Sequence, residues 1–270
     1  MFKITATFLL AIVSFLSYAQ TTSNRNERLQ PLLQDIVAKA KEHSLYKSNV
    51  DWSALEAEVL LKEDTLISDA EFTRKVKRIF QALGDKHGGL RFQGKVIRQG
   101  DDASIQVSPA LKDPFRGKPV EIRTSMLENG YGYILVPGTN KHDGRANQQY
   151  QDSLCSLDLE NLKGLVIDLR LNEGGSIYPL FTGFNQLFGN KTIGYTCNGK
   201  GKRISRLSVE NGSYYYAKHR VASVFNRCRA NKELRIVVLT SPITASAGEM
   251  LAIAFKGRDR TLFIGEKTAG

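Results

Sequence analysis

Ser246 stands where a hydroxyl group could act as a nucleophile. It lies in Thr244-Ala245-Ser246-Ala247-Gly248-Glu249, between a predicted strand and a predicted helix, and this segment is similar to a nucleophile elbow that lacks its first glycine. The positive end of a helix dipole would stabilise the negative charge that develops when a serine attacks a carbonyl group. Ser246-x-x-Glu249 is also a capping box, as is Ser68-x-x-Glu71, and the local pattern alone favours a plain helix cap.

A pair of glycines offers the second chemical feature. Gly174 and Gly175 end the segment Asp168-Leu169-Arg170-Leu171-Asn172-Glu173-Gly174-Gly175, which follows an apolar run and precedes a predicted helix. Adjacent glycines at such a turn allow backbone N–H groups to approach a ligand, and such donors suit an oxyanion. Taken alone, the segment favours the simpler interpretation of a tight strand-to-helix turn.

A nucleophilic serine needs a base, and the chain contains four histidines. His87 lies in Gly84-Asp85-Lys86-His87-Gly88-Gly89, a loop that closes a predicted helix and in which Asp85 or another acid could orient it. By itself this pattern favours a surface histidine beside a helix C-terminus. The others are predicted to be structural, solvated or in a turn: His43, His142 and His219.

The elements that must position these residues fall into two parts. Residues 24–89 have helical periodicity and predict a small helical module, and residues 90–122 predict an irregular β and loop connection. Residues 123–270 alternate apolar runs with helical segments, which predicts an α/β fold with right-handed βαβ crossovers and a largely parallel sheet. The predicted strands are 132–136, 164–170, 235–239 and 261–265, the helices are 177–188 and 246–256, and a hairpin spans 203–216 and turns at Asn211-Gly212.

The first 19 residues predict a secretory signal peptide. Lys3 precedes the uncharged apolar stretch Ile4–Leu16, and Ser17-Tyr18-Ala19 offers small residues at a cleavage site. An uncleaved anchor helix is the alternative. Cleavage predicts an exported protein, periplasmic or extracellular, with no stable membrane span. Its three cysteines would then meet an oxidising compartment, and their odd number leaves at least one free or paired outside the chain.

The net charge of +11 suggests a nucleic-acid or membrane partner, which makes it the first property to test. The basic residues are spread along the chain, and no strip of interleaved aromatic and basic residues or nucleic-acid motif accompanies them. We therefore predict no nucleic-acid partner. No CxxC pair suggests structural zinc, and we predict neither a metal nor a cofactor.

The order of these segments resembles the C-terminal-processing (tail-specific) protease family of serine peptidases, which includes the tricorn core protease. The resemblance covers roughly residues 45–270 and implies a crotonase/ClpP-like fold. Four segments match in order: Asn49–Trp52, Leu83–His87, Leu165–Gly175, and Thr244–Glu249 with its continuation Ile264–Gly270.

The resemblance implies a role for each candidate residue. Ser246 would be the nucleophile, and the backbone N–H groups of Gly174, Gly175 and Ala247 would form the oxyanion hole. Residues 90–122 are too few for the PDZ domain of the tail-specific branch, whose lysine base would follow Gly270. The tricorn-like branch is therefore the better match, and it implies His87 as the general base. One departure is Lys86, which stands where the tricorn core has a serine.

The sequence thus predicts an exported serine peptidase that acts on peptides or unfolded protein tails. Because the family pattern continues past Gly270, the chain is either a fragment or a shortened relative with an incomplete triad. Two alternatives remain open. One is a catalytically incomplete binding protein on the same scaffold. The other is a crotonase-like acyl-transfer enzyme, against which the predicted signal peptide argues.

Overall fold

The computed structural model describes residues 29–60, 66–85, 88–99, 109, 119–198, 200–225 and 228–269. The predicted signal peptide and His87 lie outside the described residues. The chain divides into two compact units, residues 1–103 and residues 104–270, so the division falls within the predicted connection 90–122. Among the described helices, none has the length and apolar character needed to cross a bilayer.

The first unit is helical, with a short hairpin. Its elements are α1 (Leu29–His43), α2 (Trp52–Val59), α3 (Asp69–Leu83), β1 (Leu90–Phe92) and β2 (Lys95–Ile97), the last two paired antiparallel. Helix α3 buries Phe72, Val76, Ile79 and Leu83 on one face, at the three- and four-residue spacing of an amphipathic helix. This face packs in a core to which α1 and α2 also contribute, including Leu33 and Val59.

Both ends of α3 follow the sequence prediction. Ser68 has extended backbone (φ −75°, ψ 158°), and its side chain accepts a hydrogen bond from the Glu71 N–H at 3.2 Å. Gly84 ends the helix at φ 72°, a left-handed conformation that glycine adopts without steric cost. The structure thus contains the serine cap that Ser68-x-x-Glu71 predicts, and the helix ends at the glycine that begins the His87 segment.

The second unit carries two sheets. Its elements are β3 (Arg123–Leu127), β4 (Tyr131–Leu135), α4 (Gly144–Cys155), β5 (Gly164–Asp168), α5 (Tyr178–Phe188), β6 (Lys191–Cys197), β7 (Arg203–Glu210), β8 (Ser213–Tyr216), β9 (His219–Ser223), β10 (Arg235–Thr240), α6 (Ala247–Phe255) and β11 (Thr261–Gly265). The first sheet has the order β11-β10-β5-β4-β3, in which only the β3–β4 pair is antiparallel. The predicted α/β fold with a largely parallel sheet is confirmed.

The second sheet is antiparallel, in the order β6-β7-β8-β9. The predicted hairpin forms its centre, because Asn211 (φ 50°) and Gly212 (φ 73°) supply the two positive φ angles that a tight two-residue turn requires. Strands β6 and β9 flank this hairpin and were not predicted. The sequence therefore indicated half of this sheet.

Helix α5 contributes side chains to two hydrophobic clusters. Leu180 and Phe184 belong to the cluster that contains residues of the parallel sheet, α4 and α6, whereas Phe181 packs with Val209 and Tyr214 of the antiparallel sheet. A disulfide joins Cys155 at the end of α4 to Cys228, with the Cα atoms 5.6 Å apart, and leaves Cys197 free and exposed. One cysteine without a partner in the chain is what the odd count requires.

Candidate active site

The loops after β5 and β10 meet at the carboxyl edge of the parallel sheet, because those two strands are neighbours. Two hydroxyl groups of the second loop bond to the first. Thr244 Oγ1 donates to the Leu169 carbonyl at 2.8 Å, and Ser241 Oγ donates to the Arg170 carbonyl at 2.6 Å. Both hydroxyl residues are buried, so these bonds fix the loop that leads to Ser246 against the strand beside it.

Asn172 connects the two loops to the end of a third strand. It is fully buried, its Nδ2 donates to the Val136 carbonyl at 3.1 Å, and its Oδ1 accepts from the Gly174 N–H at 3.0 Å. Its own carbonyl accepts from the Ala245 N–H at 2.9 Å. Because an amide side chain can donate and accept at once, Asn172 binds a carbonyl group and an N–H group through the same side chain. The sequence pattern places Asn172 within a motif and does not indicate a role for its side chain.

Ser246 holds a backbone conformation that a helix cap does not need. Its φ is 48° and its ψ is −110°, a region that residues with a side chain rarely adopt and that costs about 1–3 kcal/mol. The residue is exposed, while Ala247 and Gly248 behind it are buried in the first turn of α6. The capping box is present as well, since the Ser246 N–H donates to Glu249 Oε2 at 2.7 Å. The structure therefore places an exposed hydroxyl residue on a strained turn at a helix N-terminus.

Gly174 lies directly against this turn. A Cβ atom on Gly174 would come within 2.8 Å of Ser246 Cβ, closer than real Cβ contacts allow, and within 3.0 Å of the Ala245 carbonyl oxygen. Gly174 also has φ 98° and Gly175 has φ 103°. The glycine pair is thus required both by its backbone angles and by its approach to Ser246.

The backbone N–H groups around Ser246 differ in whether they are free to bind a ligand. The Gly174 N–H already donates to Asn172. Within the described ranges, the N–H groups of Gly175 and Ala247 make no hydrogen bond. Of the three predicted oxyanion donors, these two therefore have no hydrogen-bond partner among the described residues; Gly175 is exposed and Ala247 is buried.

An ion pair between a buried carboxylate and a partly exposed arginine supports the same edge of the sheet. Arg170 binds Asp168 through Nη2–Oδ2 at 2.6 Å and Nε–Oδ1 at 3.0 Å, and the Tyr133 hydroxyl donates to Asp168 Oδ2 at 2.7 Å. Burial, followed by the hydrogen bond to Asp168, raises the pKa of Tyr133 well above its ordinary value. The hydrogen bond to Asp168 raises the pKa of Arg170. Since both of its carboxylate oxygens are bound by these partners, Asp168 stabilises the start of the loop rather than binding a substrate.

The first unit carries the loop of the predicted base. His87 itself lies outside the described residues, and around it Asp85 Oδ1 accepts a hydrogen bond from the Gly88 N–H at 2.7 Å. The structure thus shows Ser246, Gly174, Gly175 and Ala247 together and leaves the role of His87 as a prediction. In the part of the chain that the structure describes, no group of three or more His, Cys, Asp or Glu side chains could hold a metal ion.

Residues 130–270 match the model of peptidase family S41. That range contains the parallel sheet from β4 onward, the glycine pair and Ser246. The chain belongs to peptidase family S41. The predicted family is thus confirmed, and the fold around Ser246 is that of an S41 peptidase.

Two curated relatives and one solved structure are similar to the chain. The nisin-resistance protein of Lactococcus lactis subsp. lactis is 21% identical over 85% of this chain and 66% of its own length. The carboxy-terminal processing protease CtpA of Bacillus subtilis is 29% identical over 56% of this chain and 28% of its own length. A lipoprotein from Streptococcus agalactiae has the same fold, with a TM-score of 0.60 and 20% identity over 91% of this chain and 77% of that one. The chain thus spans less than two thirds of each of these curated relatives.

Proposed function

We propose that this S41 family member is an exported serine peptidase in which Ser246 attacks the carbonyl carbon of a peptide bond. One observation carries the proposal: Ser246 is an exposed serine with φ 48° and ψ −110° at the start of α6. Nucleophile elbows use a strained turn of this kind to lift the hydroxyl group out of its surroundings. The contacts of Thr244, Asn172 and Gly174 hold the turn in place.

The reaction would proceed through an acyl-enzyme. As Ser246 Oγ bonds to the carbonyl carbon, its proton passes to a base, and the carbonyl oxygen becomes an oxyanion. The N–H groups of Gly175 and Ala247 would donate to that oxygen, and loss of one such donor typically lowers the rate by about 10²–10³-fold. The C–N bond then breaks as the base returns the proton to the amine, and water hydrolyses the ester.

His87 is the proposed base, on the resemblance of its segment to the Asp-x-His segment of the tricorn-like branch. In the described part of the same segment, the Gly88 N–H donates to Asp85 Oδ1 at 2.7 Å. Lys86 beside it departs from the tricorn pattern.

The proposed substrates are peptides and unfolded protein tails. The names of two relatives point the same way, since one is a carboxy-terminal processing protease and the other a nisin-resistance protein. The proposed site of action is outside the cytoplasm. The apolar stretch Ile4–Leu16 supports this, and so does the Cys155–Cys228 disulfide, because disulfides persist mainly in oxidising compartments.

Hydrolysis of fluorogenic peptides by the full chain tests the proposal. We expect Ser246→Ala and His87→Ala each to lower kcat/KM by about 10³-fold or more. His43→Ala is the matched control, since His43 is an exposed histidine at the end of α1, and it should retain full activity. If Ser246→Ala remains active, Ser246 is not the nucleophile. If Ser246→Ala is inactive but His87→Ala remains active, a residue other than His87 is the base.

A further inference from the structure

A cavity of about 510 Å³ opens beside the proposed oxyanion hole, within the second unit. One wall is formed by Gly175 and the residues that lead into α5, including Tyr178. The opposite wall comes from β8 and β9 of the antiparallel sheet, including Tyr214 and Val221. A cavity of this size can hold a large side chain together with part of its backbone.

The lining of this cavity, hereafter the cap pocket, is aromatic and mostly apolar. Tyr214 is a buried lining residue, with its ring centroid 5.7 Å from that of Phe181 and 5.5 Å from that of Tyr178. Burial raises the pKa of Tyr214 to about 12, so its hydroxyl group stays uncharged at neutral pH. None of the described lining residues is a carboxylate, a lysine or an arginine, although the rim includes His142 and His219.

Gly175 joins the cap pocket to the chemistry of Ser246. Its N–H is one of the two proposed oxyanion donors, and its backbone is part of the pocket wall. The scissile carbonyl carbon is bonded to the Cα atom of its own residue. When the carbonyl oxygen binds Gly175, the side chain of that residue therefore lies within reach of the same wall.

We infer that the cap pocket binds the side chain of the residue that contributes the scissile carbonyl, and that it selects an aromatic or large apolar one. The inference rests on the proposed function, because it takes Gly175 as an oxyanion donor. An uncharged aromatic surface gains free energy by covering apolar area, whereas a charged side chain would lose hydration there without an ion-pair partner. The pocket thus gives the peptidase a preference for the bond that follows Phe, Tyr, Trp or Leu.

Val221 allows a test at the rim, because it is 44% exposed and its replacement leaves the buried core intact. The substrates are fluorogenic peptides that differ at one residue, with Phe, Ala or Lys before the cleaved bond. For the wild type we expect Phe to exceed Ala by roughly 10- to 100-fold in kcat/KM. Val221→Asp places a carboxylate at the rim. It should lower the ratio of kcat/KM for the Phe peptide to kcat/KM for the Lys peptide (the Phe:Lys ratio) by about tenfold or more.

Ile204→Asp is the matched control, since Ile204 is an exposed β7 residue of the same sheet that does not line the pocket. It should leave the Phe:Lys ratio unchanged. Equal cleavage of the Phe and Ala peptides by the wild type overturns the inference, and so does an equal change of the ratio in both variants.

Binding separates a failure of this inference from a failure of the proposed function. Fluorescence polarisation of labelled Phe and Ala peptides on Ser246→Ala measures the pocket without the reaction. Tighter binding of Phe that Val221→Asp weakens supports the pocket, even if the wild type cleaves nothing and the proposed function fails. Equal binding of the two peptides overturns the pocket, even if the wild type is an active peptidase.

Discussion

Ser68 and Ser246 have the same sequence environment and different structures. Each precedes a glutamate by three residues at the start of a helix, yet Ser68 has extended backbone (φ −75°, ψ 158°) and Ser246 has φ 48° and ψ −110°. Ser68 shows that Ser-x-x-Glu can cap a helix without strain. The conformation of Ser246 therefore needs a cause other than capping.

The surroundings of Ser246 supply that cause. The residues before it are tied to the neighbouring strand by Thr244 and Ala245, and Gly174 fills the space beside its Cβ. A strained residue persists only where its surroundings determine its position several times over. The difference between the two serines separates a residue that only caps its helix from the residue that we propose as the nucleophile.

The largest effect should be seen on catalysis. Ser246→Ala removes the proposed nucleophile, and we expect kcat/KM for a peptide substrate to fall by about 10³-fold or more, with folding retained. Ser68→Ala removes only a cap, so its kcat/KM should stay within about twofold of the wild type. Similar losses in both variants, in a steady-state assay with thermal melting as the control for folding, would erase the distinction between the two serines.

A second comparison concerns two asparagines that bind the ends of elements. Asn172→Ala leaves the Val136 carbonyl and the Gly174 N–H without their partner in a buried site, at a cost of about 1–3 kcal/mol each. Because Gly175 then loses its position, we expect kcat to fall by about 10²-fold.

Asn49→Ala is the control, since Asn49 Nδ2 donates to the Leu83 carbonyl at 3.3 Å in the first unit. It should change the melting temperature slightly and leave kcat unchanged. Full activity of Asn172→Ala would show that Asn172 does not position the glycine pair.

Substitution by glycine should change the free energy of unfolding in opposite directions at the two serines. Ser246→Gly relieves the unfavourable backbone angles and should raise the free energy of unfolding by about 1 kcal/mol or more, at the expense of activity. Ser68→Gly should lower it by a few tenths of a kcal/mol. Denaturant unfolding measures both, and a destabilised Ser246→Gly would mean that the turn is unstrained.

The last prediction concerns the helix cap and leaves catalysis unchanged. Ser68→Ala removes the acceptor of the Glu71 N–H and should destabilise the first unit by about 1 kcal/mol. Hydrogen exchange of the α3 amides should report the loss. Unchanged protection at the start of α3 would contradict the role of Ser68 as a cap.

Sequence patterns predicted the elements whose signals are local. Helix α3 has its cap, its apolar face and its glycine stop within 17 residues, and β5 and β10 are short apolar runs typical of strands buried on both faces. Helix α4 was missed because its buried face includes the polar Asn147 and Gln151, whose burial depends on tertiary contacts. Strands β6 and β9 were missed because their residues are mixed in polarity and gain their order from the hairpin between them.

The candidate site divides in the same way. Ser246 and the glycine pair belong to motifs with a recognisable order. The role of Asn172 depends on partners 36 residues before it and on Ala245 far after it, which no local pattern encodes. The conformation of Ser246 was likewise hidden, because its Ser-x-x-Glu spacing is identical to that of Ser68.

Site-resolved labelling with a fluorophosphonate tests the central claim most directly. An activated serine displaces fluoride from phosphorus and forms a covalent phosphonyl ester, whereas a capping serine does not react. Mass spectrometry of the digested full chain should find the adduct on Ser246 and none on Ser68, and His87→Ala should abolish the reaction. A folded, disulfide-bonded protein that leaves Ser246 unlabelled, or labels Ser68 equally, would contradict the account.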